Sequence, residues 1–593
     1  MFFLFFLSVI LLINLYRIQI VYYNEYKSKS ENNYIKHITI PGIRGNIYDR
    51  NGILIATNKK FYQIEILPEE SYNINKKIHE LKEIIDITDE EIENFNKKLR
   101  KTRKFFPIPI KRFLNKTQIF KFSVNQHKFP NFLLREYNHR YYPYGSSFTH
   151  AIGYVSKISE KDIQDLYKNR DNKKYNINSE IGKSGVEKYY ENFLQGEIGS
   201  YEIEINNKNK IIRNVYKKFP KSGSDIYTTI DVNLQIGIEK FLDSNKAAVI
   251  VTDPRNGDIL SLVSTPSYDP NILIGKTSKK DFQNLLDNYN NPFVNRVIQG
   301  LYPPASTAKP FIAIAALGEK VINSKSIIFD PGWWKLPNSR KKYRDWKKDG
   351  HGNINLLKAI VESSDTFFYQ ISYDMGIEKI SNWMKKFGFG ETTGIDIKEE
   401  KIGVMPTRDW KKKKYGINWY HGDTIPIGIG QGYWTATPIQ ISKALMILIN
   451  NGDIKIPHIL FKRKTREKSY YYKQKKISHF SKINSDFWNL VRYGMYGVAH
   501  FPNGTAHKNF LNLSYKAAVK SGTAQVFGYQ TYDIKKITDN LLDHKLMIGF
   551  APYNNPIVSV VAVLENHKSN TSIGELVRNI FDYVVLKKNS FSN

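Results

Sequence analysis

Apolar residues fill positions 2 to 15 almost without a break, and Arg17 is the first charge, in MFFLFFLSVILLINLYRIQI. A bilayer takes about 20 such residues, so the run predicts a transmembrane anchor over residues 1–21. No small-x-small cleavage site follows, which argues against a removed signal peptide. The expectation is an uncleaved, single-pass anchor with the rest of the chain outside the cytoplasm. The pattern then shortens. Residues 38–57 alternate brief apolar strands with turns at Pro41-Gly42 and Asn51-Gly52. Residues 72–104 have helical spacing and high charge, 139–155 are rich in turns, and 181–196 read as a turn leading into an amphipathic helix.

Near residue 226 the texture changes. Residues 247–270, AAVIVTDPRNGDILSLVSTPSYDP, predict two buried strands joined by a polar Asn-Gly turn. Helical spacing follows at about 306–320, 355–387 and 436–451. Strand, hairpin and closing helix are expected in YKAAVKSGTAQVFG, LMIGFAPYNNPIVSVVAVLEN and ELVRNIFDYVVLKK. Strands at both ends with helices between predict one antiparallel sheet built from distant segments and flanked by helices, an α/β (α+β) domain over residues 226–593. Residues 22–225 form a second, N-terminal domain in this reading.

The 593 residues suit more than one domain, and 41% hydrophobic with 14% aromatic residues exclude global disorder. A formal net charge of +32 first suggests nucleic acid. The lysines, however, are spread along the whole chain rather than gathered on an arm or one helix, so nucleic-acid binding is not expected. With no cysteine, disulfides, thiolate catalysis and cysteine-based zinc ribbons are impossible.

Chemistry enters at LYPPASTAKPF, 301–311. If a helix begins there, Ser306 and Lys309 share a face at i and i+3, and Pro310 is tolerable in a first turn. A lysine amine within hydrogen-bond reach can take a serine's proton. Alone, the pair also reads as a capping serine beside a solvated lysine. Ser363-Ser364-Asp365 follows 57 residues after Ser306, inside an apolar helical pattern, and Lys520-Ser521-Gly522-Thr523 sits on a predicted strand. Gly522 removes a side chain where a substrate backbone could approach. In the order Ser-x-x-Lys, Ser-x-Asp, Lys-Ser-Gly-Thr, the three form an acyl-serine signature. Two competing motifs fail. Gly182-Lys183-Ser184 lacks the upstream glycine of a phosphate loop, since Ile177 stands there. GIGQG, 428–432, lacks the spacing of a dinucleotide fingerprint.

Longer stretches resemble one family. PGIRGNIYDRNG, RYYPYGSSFTHAIGYVSKI, VIVTDPRNGDIL, FDPGWWKLP, YRDWKKDGHG, GDTIPIGIGQGYWTATPIQ, PNGTAHK and KSGTAQVFG are similar to the penicillin-binding protein 2 family, the class B, elongation-type peptidoglycan transpeptidases of Gram-negative bacteria. The resemblance runs from about residue 10 onward and implies a D,D-transpeptidase inhibited by β-lactams. It implies that Ser306 attacks the carbonyl between two terminal D-alanines of a stem peptide, with Lys309 as base. Ser363 would relay a proton, Asp365 would orient the set, and the N–H groups of Ser306 and Thr523 would form an oxyanion hole. Lys520, Ser521, Gly522 and Thr523 would hold the substrate and its carboxylate, and GIGQG would line the cleft.

The same resemblance points to a structural zinc site at Asp330, Asp345 and His351, with Ser364 where some members place a cysteine. No cofactor is expected for the catalysis itself. Residues 22–225 become a pedestal, or dimerisation-type, domain contacting a SEDS-type glycosyltransferase and rod-complex scaffold proteins. The implied location is the inner membrane, with the catalytic domain in the periplasm. A D,D-carboxypeptidase or β-lactamase-like hydrolase would use the same residues. It differs only in whether water or an amine resolves the acyl-enzyme.

Overall fold

The computed structural model describes every residue except 1, 25, 28–34, 41, 69–72, 102–106, 169–174, 176–179, 206–210, 274–278, 475–476, 479, 481–482, 526–541, 568–570, 588–590 and 592–593. The apolar N-terminal run forms helix α1 (Phe2–Tyr16) and continues as a π-helical turn over Arg17–Val21. Phe2, Phe3, Leu11 and Leu12 project from it, all exposed. Among the described residues no helix is long and apolar enough to cross a membrane.

The N-terminal half is built on β1 (Ile35–Ile40), β2 (Ile47–Tyr48), β3 (Leu54–Ile66), helices α2 (Ile74–Ile84) and α3 (Asp89–Lys101), β4 (Ile108–Lys111), β5 (Phe132–Tyr141), β6 (Gly199–Ile205), β7 (Ile211–Lys218) and β8 (Asp225–Thr228). The charged stretch predicted as helical is thus two helices, whose apolar stripe buries Ile78, Leu81 and Phe95 against Ile64, Ile66, Phe122 and Phe132. Each such side chain removed from water contributes roughly 1.5–3 kcal/mol.

The C-terminal half contains α4 (Val232–Leu242), β9 (Ala247–Thr252), β10 (Ile259–Thr265), α5 (Lys309–Gly318), α6 (Leu356–Val361), α7 (Asp365–Lys386), α8 (Pro438–Ile449), β11 (Leu460–Lys464), β12 (Ser469–Tyr471), α9 (Ser485–His500), β13 (Ala518–Ala524), β14 (His544–Ala551), β15 (Val558–Leu564) and α10 (Ile573–Leu586). Five of its strands form one antiparallel sheet in the order β10-β9-β15-β14-β13. The predicted hairpin and the distant C-terminal strands therefore meet in one layer. β9, β10 and β15 are buried on both faces, which explains their near-continuous Val, Ile and Ala. α5 and α8 bury Phe311, Ile312, Ile439, Leu445 and Leu448 in the same core.

The halves are not joined by a simple linker. A second sheet runs β12-β11-β8-β2-β3-β4, with β5 also on β3, so strands from residues 47–141 pair through β8 with strands from 460–471. The line expected between 225 and 226 falls inside β8. A buried ion cluster stiffens the N-terminal side of this joint. Glu187 takes Arg44 Nε at 2.7 Å and Arg140 Nε at 2.6 Å, and Arg44 also reaches Glu191 at 2.7 Å. Across the joint, Tyr190 Oη donates to Asp396 at 2.7 Å, and the same carboxylate accepts the Ile459 and Leu460 N–H groups.

Candidate active site

Ser306 lies in a 3₁₀ turn, Ala305–Ala308, that runs directly into α5. In such a turn i and i+3 side chains eclipse, which stacks Lys309 over Ser306. Pro310 sits in the first turn of α5, where its missing N–H costs no hydrogen bond. The approach is strained: Ala305 has φ +49°, and its N–H is held by Gly430 O at 2.8 Å. A non-glycine residue in this region costs on the order of 1–3 kcal/mol. Gly430 belongs to GIGQG, and a Cβ on it would come within 2.3 Å of Ala305 O. The adjacent Gln431 Nε2 donates to Thr523 O at 3.4 Å. That loop therefore packs against both the serine turn and β13.

The helix predicted over 355–387 breaks at the second motif. α6 ends at Val361, Ser363 takes φ +58°, and α7 restarts at Asp365 with Ser364 Oγ capping Phe367 N–H. The break presents Ser363 and Asp365 to Lys309. Lys309 Nζ, wholly buried, donates to Asp365 Oδ1 at 2.7 Å, to Ser363 O at 2.8 Å and to Ser363 Oγ at 3.3 Å. From the other side Lys520 Nζ donates to Ser363 Oγ at 2.8 Å and to Ser521 O at 3.0 Å. Two amines thus converge on one hydroxyl, while Ser306 Oγ has no hydrogen-bond partner among the described residues.

Electrostatics follow from the burial. Desolvation first, and then the charge of Lys309, hold the Lys520 ammonium well below its ordinary value, with Asp365 opposing. Burial also raises the Asp365 carboxyl; Lys309 pulls it back, and Asp345 pushes it up again.

β13 carries the third motif as predicted. A Cβ on Gly522 would lie 3.0 Å from Thr307 Cγ2 and 3.5 Å from Ser306 N, so the strand backbone passes against the serine turn. Ser521 Oγ lies 2.9 Å from Thr505 Oγ1 in the PNGTAHK segment, and Thr523 Oγ1 accepts from Lys545 Nζ at 3.3 Å. Ser306, Lys309, Ser363, Asp365 and Lys520–Thr523 are therefore all brought together.

Behind α7 lies the second cluster. One ligand atom from each of Asp330, Asp345 and His351 falls within 4.8 Å of the others, all three residues buried. Ser364 Oγ donates to Asp330 Oδ2 at 2.8 Å and to Asp345 Oδ2 at 3.2 Å, so it stands at the predicted fourth position. His351 Nδ1 lies 2.7 Å from Glu362 Oε2, which aims Nε2 at Asp345 Oδ1, 3.3 Å away. Two carboxylates and an imidazole steered by an outer carboxylate are a donor set that zinc accepts. The set fits at three positions and offers a neutral hydroxyl at the fourth. Asp345 also accepts the N–H groups of Asp365 at 2.6 Å and Thr366 at 2.9 Å. Burial alone would raise its carboxyl, but the bonds from His351 and from backbone N–H groups hold it well below the usual range.

Several site residues were not singled out from the sequence: Trp346, Glu362, Thr505 and Lys545. Trp346 Nε1 donates to Ser363 O at 3.1 Å and to Glu362 O at 3.2 Å, and so shares with Lys309 the carbonyl of the left-handed residue. Its place within YRDWKKDGHG was the only signal available.

Comparison with known proteins agrees with this geometry. The family model "Penicillin binding protein transpeptidase domain" matches residues 247–583, and "Penicillin-binding Protein dimerisation domain" matches 39–228. The chain is 50% identical to the peptidoglycan D,D-transpeptidase MrdA of Escherichia coli K12 over 98% of its own length and 93% of the relative's. It is 44% identical to the protein of that name from Haemophilus influenzae, over 97% and 89%. Among solved structures, Helicobacter pylori PBP2 in complex with MreC superposes with TM-score 0.81 at 27% identity, covering 93% of this chain and 99% of that one. Pseudomonas aeruginosa PBP2 in complex with WCK 5153 gives 0.71 at 32%, covering 94% and 98%. A dimerisation-type N-terminal domain, a serine turn seated against the Lys-Ser-Gly-Thr strand and full-length likeness to these enzymes all lead one way: the chain belongs to the penicillin-binding protein 2 family of peptidoglycan D,D-transpeptidases.

Proposed function

We propose that Ser306 is the acylated residue and that Lys309, Ser363 and Lys520 move its proton. The observation carrying this reading is the convergence of Lys309 Nζ and Lys520 Nζ on Ser363 Oγ, at 3.3 and 2.8 Å. Ser306 Oγ attacks the carbonyl between the terminal D-alanines as its proton passes into the Lys309–Ser363–Lys520 relay, in which burial holds Lys520 towards its neutral amine. The C–N bond breaks, and Ser363 delivers a proton to the departing D-alanine nitrogen, refilled from the amine pair. A neighbouring stem's amine then attacks the ester, loses a proton to the same relay and returns Ser306 to its hydroxyl form. Asp365 fixes the position of Lys309. The N–H groups of Ser306 and Thr523 receive the carbonyl oxygen, one such donor being worth about 10²–10³ in rate. The absent side chain of Gly522 lets the strand lie beside Ser306.

Asp330, Asp345 and His351, with Ser364 as the weak fourth partner, would hold a zinc ion. Bound there, the ion would add cationic bracing between the 330–351 segment and the start of α7. The chain's own contribution is that Asp345, by accepting the N–H groups of Asp365 and Thr366, fixes the helix start that carries the catalytic carboxylate.

The exposed apolar α1, with the turn that extends it to Val21, serves as a single inner-membrane anchor, leaving the catalytic half in the periplasm. Residues 22–225 act as the pedestal before the transpeptidase domain at 226–593. The likeness to the Helicobacter pylori PBP2–MreC complex supports docking of a rod-complex scaffold protein on the pedestal. A SEDS-type glycosyltransferase would supply the polymerised glycan.

The test is acylation. A fluorescent penicillin should leave a stable adduct on the peptide containing Ser306, located by mass spectrometry, and none on the Ser306→Ala variant. Rapid hydrolysis of the drug in place of a stable adduct would favour the hydrolase reading, and an adduct elsewhere would overturn the assignment.

A further inference from the structure

A substrate or penicillin that reaches Ser306 carries a carboxylate, and that charge needs a cationic partner. The motif's own lysine is badly placed to provide one. Lys520 is wholly buried, its Nζ is turned inward onto Ser363 Oγ and Ser521 O, and burial disfavours its charged form. Lys309 is likewise buried and committed to Asp365. Neither ammonium points along the outer side of β13, where the hydroxyls of Ser521, Thr523 and Thr505 gather.

Another lysine does. Lys545 stands directly opposite Thr523 in the antiparallel β13–β14 pairing, so their side chains share a face. Its Nζ donates to Thr523 Oγ1 at 3.3 Å, and Thr523 is exposed while Lys545 is half-buried. Among the described residues no carboxylate is paired with Lys545. An ammonium held in place by a strand, with no anion paired to it among the described residues, thus sits beside Thr523, on the strand face that also carries Ser521 and, through it, Thr505. Hydroxyls donate single hydrogen bonds and the ammonium adds charge, a combination suited to a carboxylate.

We propose that Lys545 is a specificity-determining residue that supplies the positive charge for the C-terminal carboxylate of the donor stem peptide, and for the ring carboxylate of a penicillin, alongside Ser521, Thr523 and Thr505. The assignment rests on Ser306 being the acylated residue.

The experiment compares a penicillin bearing its free carboxylate with the methyl ester of the same drug, reading the second-order rate constant of Ser306 acylation. Hydrogen bonds to charged groups contribute about 1.5–3 kcal/mol, so Lys545→Met should slow acylation by the free acid roughly 10- to 100-fold. Acylation by the ester should change less than about threefold, and Lys545→Arg should recover most of the rate with the acid. Equal loss with acid and ester, or no loss with either, in a variant that melts at the wild-type temperature overturns the proposal. If Lys545→Met melts early, Lys545→Gln is read by the same acid-to-ester ratio. Failure of the wild-type protein to form an adduct at Ser306 would instead overturn the catalytic assignment beneath it, which keeps the two failures distinct.

Discussion

Lys309 Nζ lies 2.7 Å from Asp365 Oδ1, inside a site where the lysine is wholly sealed from solvent. The first residue of α5 is thereby tied to the first residue of α7. Removing one partner of such a pair leaves an uncompensated buried charge, at a cost of about 3–5 kcal/mol. Asp365→Ala should therefore lower unfolding stability by about that amount, while Asp365→Asn, which keeps an acceptor oxygen, should lose less than about half of it. Urea unfolding of the three proteins decides this, and equal losses in Ala and Asn would refute the electrostatic account. Lys309→Met should slow penicillin acylation about 10²–10⁴-fold, the usual contribution of a general base.

Gly522 is required by its neighbours rather than by its backbone angle. A methyl group there meets Thr307 Cγ2 at 3.0 Å and the Thr307 nitrogen at 3.3 Å. Gly522→Ala should push β13 away from Ser306 and cut acylation by at least about tenfold, since misplacing a reacting group costs rate steeply. Its melting temperature should move by only a few degrees, roughly the effect of 1 kcal/mol or less. A variant that acylates normally would show that the strand has slack.

Ser364 offers a direct handle on the buried cluster. Its Oγ already lies 2.8 Å from Asp330 and 3.2 Å from Asp345, so a thiolate at the same place would complete a set of three strong donors and one soft one. Ser364→Cys should retain one equivalent of zinc through dialysis and bind it at least about tenfold more tightly than the native chain in chelator competition. Unchanged affinity would count against a metal site at these residues.

Glu239 on α4 supplies a pH test outside the active site. Burial, opposed by a hydrogen bond from Ser147, pushes its carboxyl up to about 7. The folded protein then binds this proton more tightly than the unfolded chain does. Stability should fall as pH rises from the ordinary carboxylate range, about 4.5, through 7, with the full cost present above that. The shift corresponds to a cost on the order of 3 kcal/mol. Glu239→Gln should flatten the stability profile in this window and exceed the wild type at pH 8, as read by urea unfolding across pH. Parallel profiles for the two proteins would exclude a buried charge there.

What could be read from the sequence was set by local patterning. β9 and β10 were legible because strands buried on both faces need unbroken apolar runs and a polar turn between them. The shared face of Ser306 and Lys309 was legible from their interval of three residues, but its chemistry became legible only with the Ser363–Asp365 and Lys520–Thr523 motifs, since alone the pair also reads as a cap beside a solvated lysine. The break at Ser363 was not. Apolar periodicity continues across it, and the left-handed residue is held by Lys309 and Trp346, both remote in sequence. Lys545 was hidden for a related reason, since its place beside Thr523 depends on strand register. The sheet joining the two halves was also invisible, because β11 reads LFKRK, two apolar residues followed by three basic ones, with no alternation to mark a strand.

That shared sheet has a mechanical consequence. β2 and β8 run parallel, with Ile47 beside Ile226 and Tyr48 beside Tyr227. Traction on the N-terminal segment therefore enters the catalytic half along the strand direction, as shear, where neighbouring hydrogen bonds resist together instead of opening one after another. Glu187, clamped between two arginines on the N-terminal side of that joint, braces the end of the sheet through which such a load would pass.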